Sequence, residues 1–217
     1  MKNIAGIIAI ATLLVIASCK SDKKCEEQAM PTSSVGKSEV KKDFDTITYE
    51  HFIIQVPHTA KMVDYLDLTR HPATVLQLND SINDYFTMVI EEEATSVQNV
   101  IQKKADYQKD KDLFYNYARF AEKNIYEKIK DYQLISSNDV LLDSCKAKVY
   151  KFYGKDVRPS ADKKDKKVYP IFYHVAIVEA DKHLYQIVTW TPKEKEADNA
   201  PKLQGIIESF EENSVKK

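Results

Sequence analysis

The chain has 217 residues, enough for one ordinary domain and a tail, with 32 Lys and Arg against 33 Asp and Glu. A formal charge of −1 leaves out a basic face for nucleic acid or an acidic shell as properties of the whole chain. Thirteen Tyr and eight Phe beside only four Gly exclude a largely disordered polymer and point to a packed core.

The chain opens with Met1-Lys2-Asn3, then an apolar run from Ile4 to Ala17, then Ser18-Cys19. One cation, a short apolar stretch and small residues before a cut form the layout of a secretory signal. The run is about 14 residues long, short of the roughly 20 that span a bilayer. Ile16-Ala17-Ser18-Cys19 resembles the bacterial lipobox, in which a thiol accepts diacylglycerol after small residues have fitted the signal peptidase. On that resemblance residues 1–18 are expected to be a removed signal peptide, and Cys19 the lipidated residue that holds the chain to a membrane. Lys20 stands where an aspartate retains some lipoproteins in the inner membrane, which favours the outer membrane in a cell that has one. Residues 20–42 are rich in Lys, Ser, Asp, Glu and Thr and too poor in apolar groups to offset their ordering entropy. A flexible tether over 19–42 and one domain over 43–217 follow. Cys25 and Cys145 are too few for a disulfide framework and are expected as free thiols.

In the domain, Phe44–Tyr49 alternates apolar and polar residues and His51–Val56 follows at once, giving a first hairpin or one bent strand. Thr74–Leu78 and Tyr85–Ile90 read as strands separated by the turn-prone Asn79-Asp80-Ser81, the second running into Glu91-Glu92-Glu93. A helical piece is expected over about 96–108, with Ser96 as its N-cap. The clearest helix is 112–132, where Phe114, Tyr117, Ala118, Ala121, Ile125 and Ile129 form one stripe. Lys148–Tyr153 is a strand ending at Gly154, residues 157–167 a charged loop, and Val168–Val178 a long apolar strand. His183–Trp190 pairs with the latter across a turn at 179–182. A closing helix near 200–210 has Pro201 in its first turn and Leu203, Ile206, Ile207 and Phe210 on its apolar side. Strands, helices, strands and a helix in this order make an α+β layout on a mostly antiparallel sheet.

Three features resemble the PsbP-like and Mog1-like domains found in many bacterial lipoproteins. Phe52-Ile53-Ile54-Gln55-Val56-Pro57 is similar to their F-x-I-x-x-P first strand, and a long helix is followed by a strand over Ser144–Tyr153. The chain then closes on paired strands and a helix ending Ile207-Glu208-Ser209-Phe210, similar to their I-x-S-F. The resemblance covers about Asp43 to Phe210 and implies an α/β/α sandwich around a central antiparallel sheet. It carries no shared catalytic residues. Cys145 departs from it, standing where such proteins often have a small turn residue.

Candidate chemistry is sparse. His51, His58, His71, His174 and His183 show no spacing that places two ligands on one helix, and only His174 and His183 could meet, across the last hairpin. No metal site and no cofactor are expected. Neighbouring residues of Glu91-Glu92-Glu93 face opposite sides of a strand, so they read as a solvated strand end and not as a paired acid and base. No nucleophile elbow or phosphate-cradling loop is present, and Cys145 would need a histidine near it in space to act as a nucleophile. A contact surface is expected at Tyr115 and at the basic run Lys163, Lys164, Lys166 and Lys167, the latter suited to anionic headgroups. Together these features predict an envelope lipoprotein, held to the membrane through Cys19, acting as a non-enzymatic binding or assembly module for an envelope partner and not for nucleic acid. The alternatives are an envelope hydrolase, which needs a pocket gathering His174 or His183 with Cys145 or an acid, and a small-ligand binder, which needs a cavity of at least about 300 Å³.

Overall fold

Residues 43–63, 72–108, 110–159 and 166–213 are described by a computed structural model. Alternation of apolar and polar residues sets most of the strands. β1 (Phe44–Thr48) and β2 (Phe52–Pro57) form the hairpin, in register Thr48↔Ile53, and the two-residue β10 (Glu211–Glu212) pairs with the other edge of β2. The larger sheet contains β3 (Lys61–Met62), β4 (Thr74–Asp80), β5 (Tyr85–Glu93), β6 (Lys130–Leu142), β7 (Cys145–Pro159), β8 (Lys166–Glu179) and β9 (His183–Pro192). Its order is β3-β4-β5-β9-β8-β7-β6, and every pairing described is antiparallel.

Both faces of this sheet are covered. On one lie α1 (Ala94–Ile101) and α2 (Leu113–Lys128), with Val97, Ile101, Phe114, Tyr117 and Ala121 packed on Val175, Ile177 and Leu184. On the other lie α3 (Glu196–Glu208) and the small sheet, with Leu203, Ile206, Phe210, Phe52 and Ile54 packed on Val89, Ala176, Tyr185 and Ile187. β8 is therefore apolar along both sides: Phe172, Ala176 and Val178 enter one core, Val175 and Ile177 the other. Each of the Phe, Val and Ile side chains among them stabilises the fold by about 1.5–3 kcal/mol through burial.

Several elements depart from expectation, each for a local reason. The long helix ends at Lys128, not 132, because Ile129 is extended (φ −100, ψ 120) and Lys130 already pairs with Lys155. The thirteen-residue strand β6 follows at once; its outward residues carry no clear alternation. Gly154 does not end β7 but sits within it. A Cβ there would lie 2.1 Å from Ile129 Cγ2, so the missing side chain is what lets the end of α2 land on the sheet. The charged stretch from 157 is not all loop: β7 runs on to Pro159 and β8 starts at Lys166, with Pro159↔Lys166 in register. Between β6 and β7, Asp143 and Ser144 take positive φ (42° and 71°), a two-residue hairpin turn that puts Cys145 at the start of the strand. The helix expected over 96–108 is α1, with Glu93 and not Ser96 at its N-cap position and no side-chain cap, followed by a single 3-10 turn at Ala105–Tyr107. α3 begins at Glu196, which puts Pro201 inside it; Glu196 and Asp198 lie in its first turn, where acids favour the helix dipole. No helix of the described residues is long and apolar enough to cross a membrane.

Candidate functional site

The period of two along β5 sends Met88, Ile90 and Glu92 to one face and Val89 and Glu91 to the other. The first face meets α1 and α2, and the packing there is incomplete. A cavity of about 420 Å³ lies between the two helices and strands β5 and β9. Its walls are apolar, formed by Met88, Ile90, Val100, Phe120, Ile125 and Val188 among others.

Three polar groups meet in its lining. Tyr117 is fully buried, and its hydroxyl donates to Glu92 Oε2 at 2.6 Å while accepting from Gln186 Nε2 at 2.9 Å. Burial first, and the Glu92 carboxylate second, push the Tyr117 phenol far above its ordinary range, so it stays a donor at every physiological pH. Of the three glutamates at the end of β5, Glu93 is exposed as a solvated strand end would be, whereas Glu91 and Glu92 are half-buried. Glu92 is held in the cavity lining, and Glu91 is turned to the opposite face. A site of this volume and character suits a small, mostly apolar molecule with a polar head.

On the opposite face a second group of side chains gathers. His51, in the turn between β1 and β2, lies against His183, the first residue of β9, with ring centroids 4.1 Å apart and planes 22° apart. Glu91 Oε1 is 2.8 Å from His51 Nδ1 and 3.8 Å from His183 Nε2. Their ring nitrogens and carboxylate oxygen lie within 4.8 Å of one another. His183 does not meet His174, because His174 pairs with Thr189 and His183 with Glu93, most of a strand apart. His174 is buried, its Nδ1 has no hydrogen-bond partner, and burial together with Lys151 pushes its pKa down to about 3. His58 pairs with Asp45 at 2.7 Å, and His71 lies outside the described residues.

The remaining candidates are placed as follows. Cys145 is buried and not in a disulfide, its Sγ is 3.9 Å from Glu212 Oε2, and burial followed by that carboxylate pushes the thiol up to about 12. A thiol so protonated is a poor nucleophile. Tyr115 is half-buried, its ring edge-on to Phe114 at 5.2 Å. Lys163 and Lys164, like Cys19 and Cys25, lie outside the described residues; Lys166 and Lys167 open β8, paired with Pro159 and Arg158. Sequence reasoning missed both gatherings. The alternation along β5 was a usable sign that Glu91 and Glu92 diverge, but nothing local tied them to Tyr117, His51 or His183.

Neither a protein-family model nor a curated protein matches the sequence. Solved structures do match the fold. The solution structure of cyanobacterial PsbP (CyanoP) from Synechocystis sp. PCC 6803 aligns over 84% of this chain and 98% of that one, with a TM-score of 0.52 at 11% identity. The Ran-binding protein Mog1p of Saccharomyces cerevisiae aligns over 77% and 94%, with a TM-score of 0.47 at 12% identity. LpqN of Mycobacterium tuberculosis, described as involved in cell envelope biogenesis, aligns over 78% and 90%, with a TM-score of 0.40 at 10% identity. The chain has an α+β fold similar to that of cyanobacterial PsbP.

Proposed function

We propose that this protein is a lipid-anchored, non-enzymatic binding module of the cell envelope, and that the cavity beneath α1 and α2 is its binding site. The observation that supports the reading is the cavity itself: about 420 Å³, apolar walls, and a Tyr117–Glu92–Gln186 group in its lining. Its ligand would be a small, mainly apolar molecule whose head donates hydrogen bonds or carries positive charge toward Glu92. A hydrolytic reading has less support. Among the described residues that line the cavity there is no histidine or cysteine, and the one described cysteine holds its proton; His174 and Glu208 both line a smaller cavity of about 150 Å³, where burial pushes the imidazole down to about 3. Lipid on Cys19 would hold the module at the membrane, on the outer membrane where one exists. Tyr115 and lysines 163, 164, 166 and 167 would supply contact to anionic headgroups or to an envelope protein partner.

The test is native mass spectrometry of the full-length lipidated protein extracted from its own envelope, beside an Ile125→Trp variant that fills the cavity. A bound small molecule of constant mass on the wild type, reduced at least tenfold in the variant, is the expected outcome. No adduct on the wild type, or an adduct unaffected by Ile125→Trp, would overturn the assignment.

A further inference from the structure

We propose that His51, Glu91 and His183 form a binding site for a divalent transition-metal ion of the zinc type. The site lies on the opposite face of the sheet from the cavity and does not depend on what the cavity binds.

Two imidazoles and a carboxylate are a donor set that suits zinc and its neighbours, whereas calcium and magnesium select oxygen donors. Bonds of about 2.0–2.1 Å in a tetrahedron set neighbouring donors about 3.3 Å apart. The two separations to Glu91 Oε1, 2.8 and 3.8 Å, bracket that value, and the three donors lie within 4.8 Å. Shifts of about half an ångström bring the two separations to Glu91 to that value; the third, between the imidazole nitrogens, depends on the rings. The rings are stacked, so one must turn to aim its nitrogen at a shared ion. His51 is the more exposed, with a side chain 37% accessible against 15% for His183, and is the ring with room to do so.

The backbone beneath both rings is pinned. Asn213 N donates to His51 O at 2.9 Å, and Asn213 Nδ2 donates to Tyr49 O at 2.8 Å, which ties the turn of His51 to the C-terminal segment. Ala180 N donates to His183 O at 3.0 Å, closing the β8–β9 turn. Glu50 Oε1 stands 3.6 Å from His51 Nε2, the position from which an outer carboxylate orients a ligating imidazole through its far nitrogen. The solvent side leaves a fourth position for water. The competing account is a hydrogen bond between His51 and Glu91 beside an ordinary ring stack, and the two accounts differ in what added metal does.

The experiment is calorimetric titration of the full, chelator-treated chain with ZnCl₂, with imidazole nitrogen–proton spectra of the wild type recorded in parallel. One ion per chain is expected, with the His51 and His183 signals moving and those of His58 and His174 still. His183→Ala and Glu91→Gln should each weaken binding by about 100-fold or more, Glu50→Gln by about 10-fold, and His58→Ala not at all. Zinc that leaves the His51 and His183 signals unmoved would overturn the site, as would binding equally lost in His58→Ala. The wild-type spectra decide the matter even if a variant does not fold.

Discussion

Asp80 shows how much one side chain can hold in place. It ends β4 fully buried, and its Oδ1 accepts the backbone amides of Ile82 at 3.0 Å and Asn83 at 2.9 Å. Its Oδ2 accepts from Asn83 Nδ2 at 2.8 Å and from the Thr59 hydroxyl. The turn it shapes reaches α3, since Asn199 Nδ2 donates to Asn83 O at 2.6 Å and Lys202 Nζ to Asn83 Oδ1 at 2.9 Å. Burial alone would raise the Asp80 carboxyl, but the bonds from Thr59, Asn83 and Ile82 outweigh it and hold the group below the usual carboxylate range. A folded-state pKa below the unfolded value adds stability that is present above the unfolded value of about 4 and is lost as pH falls through the folded one. In Asp80→Asn the new amide would face Asn83 Nδ2 and Thr59 Oγ1, donor against donor on the Asn83 side. We expect a loss of about 1.5–3 kcal/mol at neutral pH. In urea melts at pH 7 and pH 3, the gap between wild type and variant should narrow at the lower pH. A gap that stays constant would mean the carboxylate's charge contributes nothing.

At the scale of elements, Ser209 gives the closing Ile207-Glu208-Ser209-Phe210 its physical content. Its Oγ accepts from Gln55 N at 2.8 Å, and its one proton points to Ile206 O at 2.7 Å or Gln55 O at 3.2 Å. It thus stands in for a strand partner along β2 beside β10, while Phe210 stacks on Phe52 at 6.1 Å. Ser209→Ala takes the acceptor from a buried backbone amide and should cost about 1–3 kcal/mol, read as a lowered denaturation midpoint with unchanged slope. Ser209→Thr should recover part of it if the hydroxyl is the cause. These two motifs, Phe52–Pro57 and Ile207–Phe210, were legible because the same residues that read as apolar face one another. β4, β5, β8, β9 and the stripe of α2 were legible through period, since one or both of their faces are buried. β6 was not: it is the edge strand, mostly exposed, with breaks in register at 130/133 and 134/136 and Asp131 at φ 51°. Such irregularity blunts an edge against pairing with other chains, and it erases the alternation that sequence reading relies on. The end of α2 was misjudged for a related reason: Ile129 continues the apolar stripe of the helix, yet its backbone is already extended and its side chain rests over Gly154.

Across the whole molecule, the sheet separates two side-chain gatherings that its sequence mixes residue by residue. Glu91 and Glu92 are neighbours, yet one joins His51 and His183 on one face and the other joins Tyr117 and Gln186 on the other. Tyr117 lies 25 positions from Glu92 and 69 from Gln186, and His51 lies 40 from Glu91, so no short window of sequence contains either gathering. The proposed lipidation at Cys19 rests on the opposite kind of signal, one that enzymes would read as a linear string and that needs no fold. Membrane attachment and the folded domain should therefore separate cleanly by mutation. Each buried methylene of an acyl chain contributes about 0.8 kcal/mol, a single chain binds only marginally, and diacylglycerol plus a further chain holds firmly. If residues 19–42 are the tether their composition suggests, Cys19→Ala should move the protein from the membrane pellet to the soluble envelope fraction while leaving its thermal midpoint unchanged. Fractionation with carbonate washing, followed by melting curves on both forms, checks the two halves at once. A variant that stays in the pellet would mean that the domain itself, or a bound partner, holds the protein to the membrane, and attention would turn to the β7–β8 hairpin, whose Val168 and Tyr169 are exposed beside the lysine run.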